Sequence, residues 1–236
     1  MKKRIWELDA LRGIGILGVV AVHLIYDMTE LFYIWKGPES PLFDFIAEWG
    51  SVLFLLLSGI CVTLGSRHIF RGLVVFGSGL LISAVTYAMY RLDFAGKDVI
   101  IYFGVLHCLG TCMLLWPVFR RLPVWLLPVF AAAAIWAGFY LMENAATDSY
   151  WLLPFGVMPW GVVTADYFPL LPYLGFFLLG AVLGKLLYRK KESLLPGVNE
   201  KNPIVAVLCW CGRNSLWIYL AHQPLLVGIL TLATKE

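Results

Sequence analysis

The stretch Trp6–Asp27, WELDALRGIGILGVVAVHLIYD, is apolar enough to cross a membrane, yet it carries Arg12, His23 and Asp27. On a helix turning 100° per residue, Arg12 and His23 fall about 20° apart around the axis and roughly 16 Å apart along it. Asp27 follows His23 by one turn. A neutral imidazole near pH 7 can take a proton, and a carboxylate one turn away can orient the ring or raise its basicity. The spacing therefore suits a cationic anchor at one end of a line and proton-handling chemistry at the other. His23 and Asp27 are the catalytic candidates and Arg12 is the anchor. A charge in mid-membrane costs at least about 2.5–3.5 kcal/mol on insertion scales, so this stripe must face protein or a wet cavity. Gly13, Gly15 and Gly18 allow another helix to approach closely. The plainer account makes Arg12 an interfacial residue and His23 a hydrogen-bonded structural histidine.

Other polar residues sit inside apolar runs. His107 lies about 12 Å into its run, and His222 roughly 27 Å along the last one. With His23, both fall near the middle or outer half of a core roughly 30 Å thick, where a cavity lined by three helices would need them. The local alternative for His222 is that its ring caps carbonyls freed by the proline in HQP. Arg213 and Asn214 lie low in the last run, where Arg213 could join Arg12 in a basic vestibule. Asp44 and Glu48 stand one turn apart at a helix start, and Asp166 precedes another. Glu48 and Asp166 are candidates for binding a hydroxyl or an amine, against the simpler role of solvating helix ends. The five cysteines lie within apolar runs and read as soft core fillers. They lack the second pair or histidine cluster of a zinc site, so no metal is expected.

These residues need elements to hold them. Of 236 residues, 61% are hydrophobic and only 14% charged, with a mean hydropathy of +0.81. A soluble domain carries about 25% charged residues. The chain reads as an all-α, polytopic transmembrane helical bundle in a single domain, 1–236. Seven spans are expected: Leu8–Met28, Phe45–Leu64, Phe70–Tyr90, Val99–Phe119, Val124–Met142, Phe168–Tyr188 and Ile204–Leu232. Residues 143–167, rich in Trp, Pro and Gly, form a re-entrant or interfacial segment. Lys2, Lys3, Arg4, Arg67, Arg71, Arg120, Arg121, Lys185, Arg189, Lys190, Lys191 and Lys201 fall on one side, against Lys36, Arg91, Lys97 and Lys235 on the other. By the positive-inside rule the N-terminus is in and the C-terminus out. Arg12 and the acidic residues interrupt any signal-peptide pattern, so the first helix is expected to stay.

LDALRG followed by His23 matches the R-x10-H pattern that opens membrane acyltransferases of the acyltransferase-3 type. More fully, the chain resembles the bacterial heparan-α-glucosaminide N-acetyltransferase catalytic-domain family. Trp6–Asp27, FLLLSGI at 54–60, FGVLHCLG at 103–110, DYFPLLPYLGFFLLG at 166–180 and GRNSLWIYLAHQP at 212–224 carry the likeness in order. Lysosomal members have about eleven spans and a histidine-bearing loop after the first helix. That loop is not found here, so His23 is carried over from the R-x10-H pattern alone. The resemblance implies a bacterial inner-membrane enzyme. It would move an acyl group, acetyl first, from cytoplasmic acyl-CoA to a hydroxyl or amine of an extracytoplasmic sugar or glycan. Arg12, Arg213 and Asn214 would bind acyl-CoA, whose phosphates suit a guanidinium fork. His107, His222, Asp166 and Glu48 would line the cavity or bind the acceptor. The partners are the lipid bilayer, the acyl donor and the acceptor, with homo-oligomerisation left open and no nucleic acid. Two rivals remain: a transporter or flippase whose histidines relay protons, and a non-catalytic assembly protein in which Arg12 and His23 brace helices.

Overall fold

The computed structural model describes residues 4–38, 40–198 and 202–234. Of the basic residues used for orientation, Lys2, Lys3, Lys201 and Lys235 lie outside them. Helices are α1 Trp6–Tyr26, α2 Pro41–Leu64, α3 His68–Arg91, α4 Val105–Phe119, α5 Leu127–Asn144, α6 Leu170–Leu187, α7 Pro203–Arg213 and α8 Ser215–Ala233. Six described stretches are long and apolar enough to cross a membrane: Trp6–Leu31, Pro41–Leu64, His68–Arg91, Val124–Asn144, Leu170–Leu187 and Ser215–Ala233. The chain is an all-α membrane helical protein.

Two expected spans differ. The seventh is two helices, broken at Asn214 (φ −102°, ψ 14°). A continuous 204–232 helix would be roughly 43 Å long, well beyond a core of about 30 Å. Asn214 ends α7 by sending its backbone N–H and its Nδ2 to the Trp210 carbonyl, while its own carbonyl receives Ile218 N–H in α8. The fourth begins at Val105 rather than Val99. Residues 97–99 form a 3-10 turn and residues 100–104 are extended around Phe103. His107 is therefore in the first turn of its helix, and His222 lies only about 10 Å along α8 from Ser215.

The residues group into two compact units, 1–54 with 190–236 and 55–189, the boundary falling inside α2. In the first unit α1 packs on α7 and α8. Gly13 and Gly212 make this possible. A Cβ on Gly13 would collide with the Leu208 carbonyl, and one on Gly212 with the Asp9 carbonyl, so backbone meets backbone. Glu7, buried at the start of α1, accepts Ser193 Oγ–H and Leu194 N–H at 2.8 Å each and ties the chain before α7 to α1.

In the second unit α3 packs on α4 and α5 on α6. Between α5 and α6 lie the parallel pair Ala146–Thr147 and Met158–Pro159 and the 3-10 turn Tyr150–Phe155. Trp151 and Trp160 there are 87% and 74% exposed.

Candidate functional site

In the first unit, α1 carries the polar line as one unbroken helix, so the spacing of about 16 Å between Arg12 and His23 holds. Arg12 Nη2 donates to Ser215 Oγ at 3.1 Å, which places the guanidinium at the start of α8, beside the Asn214 break. Eleven residues further along α1, the His23 ring meets the His222 ring edge-on, centroids 4.9 Å apart and planes 62° apart. Arg12 with Ser215 and His23 with His222 occur in the same order on both helices, so α1 and α8 run side by side in one direction.

His222 is 7% exposed and also lies against Tyr219, with ring centroids 5.2 Å apart. Its Nδ1 is hydrogen-bonded to the Tyr219 carbonyl. Asp27, fully buried, opens a π-helical turn, Asp27–Leu31, in which Phe32 N–H reaches back five residues to the Asp27 carbonyl. Such turns frequently occur at functional sites. Here the turn continues α1 past Tyr26, and the Asp27 side chain reaches α8, where Oδ1 accepts Gln223 Nε2–H at 2.8 Å. Three buried atoms of this cluster have no hydrogen-bond partner among the described residues: Asp27 Oδ2, His222 Nε2 and Gln223 Oε1. Buried polar atoms are usually paired, so three unpaired atoms in one place make this cluster the candidate site.

The second unit holds His107 and Asp166. His107 Nδ1 accepts the Gly104 N–H at 3.2 Å, so a neutral ring carries its proton on Nε2, which faces Ser83 Oγ at 3.4 Å. Ser83 passes its own hydroxyl hydrogen to the Ile101 carbonyl at 2.6 Å. Both nitrogens are committed, and Phe76 and Phe103 flank the ring. Asp166 Oδ2 caps α4 by accepting Val105 N–H at 2.9 Å. Burial pushes the Asp166 carboxyl up to about 6, opposed by that N–H. Thr164 Oγ1 bonds the Ile100 carbonyl, and Phe168 N–H bonds the Phe103 carbonyl. His107 and Asp166 thus fasten 100–105 to 164–168.

Family comparison aligns residues 4–224 with the family described as heparan-alpha-glucosaminide N-acetyltransferase, catalytic. The chain belongs to this family. Comparison with curated proteins and with solved structures finds no match. The family alignment runs through both units and includes Arg12, His23, Asp27, His222 and Gln223. As an integral-membrane member of this acetyltransferase family, the chain keeps its polar α1 residues in contact with α8.

For this family member, the structure brings Arg12, His23, Asp27 and His222 onto α1 and α8, within one unit. The Asp27 carboxylate is hydrogen-bonded to Gln223, where the sequence had it orienting His23. Arg213 is exposed and Asn214 joins α7 to α8. Glu48 is exposed on α2. No group of three or more His, Cys, Asp or Glu side chains able to hold a metal ion occurs among the described residues. A groove of about 570 Å³ on α5, lined by Trp136, Phe139, Tyr140 and Glu143 among others, contains none of the site residues. Sequence reasoning missed Ser215, Tyr219 and Gln223. Gln223 had a signal in its place beside His222, and Tyr219 in its place one turn before it on the same helix; Ser215 becomes visible only when α8 lies against α1.

Proposed function

We propose that the chain transfers an acyl group, acetyl first, from cytoplasmic acyl-CoA to a hydroxyl or amine of a sugar or glycan on the other side of the membrane. What carries this reading is the His23–His222 imidazole pair held one long stride along α1 from Arg12. Arg12 receives the donor's phosphates, with Arg213 and Asn214 at the neighbouring helix break. The pantetheine arm lies along α1, which brings the thioester to the imidazoles. There the pair takes the nucleophile's proton as the acyl carbon is attacked. Asp27 and Gln223 hold the acceptor. His107 and Asp166 act at one remove by fixing the second unit's loops, and Glu48 lies at a mouth for the acceptor. Lipid surrounds the long apolar helices, with the N-terminus inside and the C-terminus outside. Units 55–189 and 1–54 with 190–236 serve as one catalytic domain, consistent with a family alignment that runs through both.

Binding of radiolabelled acetyl-CoA to the purified protein, followed by release of free CoA on adding a sugar amine or alcohol, tests the proposal. CoA release that depends on the acceptor is expected. Flux of a solute without CoA release would instead favour a transporter, and absence of both would leave a structural role.

A further inference from the structure

His23, His107 and His222 do not carry equivalent hydrogen-bonding states. A backbone carbonyl can only accept, so the His222 Nδ1 bonded to the Tyr219 carbonyl must bear the proton. In the neutral ring Nε2 is then a bare lone pair, and it is buried without a partner. His107 shows the opposite arrangement, with Nδ1 accepting and both nitrogens occupied. Among the described residues no hydrogen bond fixes the ring nitrogens of His23, which contacts His222 ring to ring. Asp27 Oδ2 and Gln223 Oε1, the other two unpartnered atoms, are also acceptors. The cluster therefore offers acceptors only: two oxygens and one imidazole nitrogen, all in want of hydrogens.

We infer that His222 is the proton acceptor of the imidazole pair, its Nε2 lone pair set by the Tyr219 carbonyl, and that Asp27 Oδ2 and Gln223 Oε1 hold the incoming amine or hydroxyl by its hydrogens. This rests on the acyl-transfer reading above. As the nucleophile's lone pair forms its bond to the thioester carbonyl carbon, its hydrogen passes to His222 Nε2. The C–S bond then breaks, and the imidazolium returns the proton to the departing thiolate. His23, whose nitrogens are not committed, is left free to donate to the thioester oxygen as negative charge builds there. The titratable groups around His222 are His23 from α1, Asp27 from the π-turn and Tyr219 from its own helix.

Two measurements on the full chain in lipid nanodiscs decide this. The first is the ¹⁵N spectrum of histidine-labelled protein, with His222 assigned by its loss in His222→Asn. A protonated Nδ1 and an unprotonated Nε2 are expected, and a proton on Nε2 overturns the inference. The second is acetyl transfer from acetyl-CoA to free glucosamine by His222→Asn, whose amide can still donate to the Tyr219 carbonyl. Its kcat should fall about 100-fold or more and lose the acidic limb of its pH profile, the size expected for general-base loss. The KM for acetyl-CoA should stay within about threefold, since no ground-state contact to the donor is removed. A kcat within about tenfold of wild type, or an unchanged acidic limb, would overturn the assignment. A wild-type protein that transfers nothing from acetyl-CoA would sink the acyl-transfer reading, and the spectrum would still decide where the His222 proton lies.

Discussion

At the residue scale, the polar line was legible because a charged or imidazole side chain in an apolar run must have a reason to be there. That argument found Arg12, His23 and Asp27 from their spacing alone. It could not find which partner each takes, since Ser215 and Gln223 are about 200 positions away in sequence and reach α1 only through packing. Arg12→Ala should raise the KM for acetyl-CoA at least about tenfold, since a charge-assisted hydrogen bond is worth about 1.5–3 kcal/mol. Ser215→Ala, which removes only one acceptor from a five-donor guanidinium, should change it much less in the same assay. Asp166 gives a pH prediction. Its pKa is 3.8 as a free group and about 6 when folded. The folded state therefore holds this proton more tightly, and the stability so gained is full below pH 3.8 and lost as pH rises to about 6. A shift of this size corresponds to about 3 kcal/mol. Thermal unfolding in detergent should accordingly give Asp166→Asn a smaller loss of melting temperature than wild type between pH 4 and pH 6. Equal slopes for the two proteins would show that Asp166 does not titrate in this way.

At the element scale, composition and apolar run length placed most helices within a few residues. They failed where tertiary bonds override hydropathy. Residues 99–104 are apolar, but their carbonyls and N–H groups go to Thr86, Ser83, Thr164 and Phe168, so α4 cannot start before Val105. The last apolar run breaks at Asn214, where the side-chain Nδ2 adds a second hydrogen bond to the Trp210 carbonyl beside that of the backbone N–H. The contact of α1 with α7 depends on two glycines. Gly212→Ala should lower stability by about 1–3 kcal/mol, because the added methyl meets the Asp9 backbone and not a movable side chain. Gly18→Ala, with nothing near it, should leave the unfolding temperature unchanged or slightly raised.

For the whole molecule, the helical membrane class followed from hydropathy, while the division into two units did not, because it is set by which helices touch. Orientation remains the claim of the basic residues, and it yields a direct expectation. Cysteines introduced at Ser66 and Leu122 should react with membrane-impermeant maleimide only after the cytoplasmic face is opened, whereas ones at Phe94 and Ser149 should react from outside in intact cells. The reverse pattern would invert the path of the acyl group. The exposed Trp151 and Trp160 should be quenched by brominated lipids if 143–167 lies at the membrane surface. The most direct measurement of all is acetyl transfer by purified wild-type protein and His23→Ala, with both checked for equal folding and equal acetyl-CoA binding. The account predicts turnover in the first and none in the second; equal turnover in both would remove the α1 histidine from the chemistry.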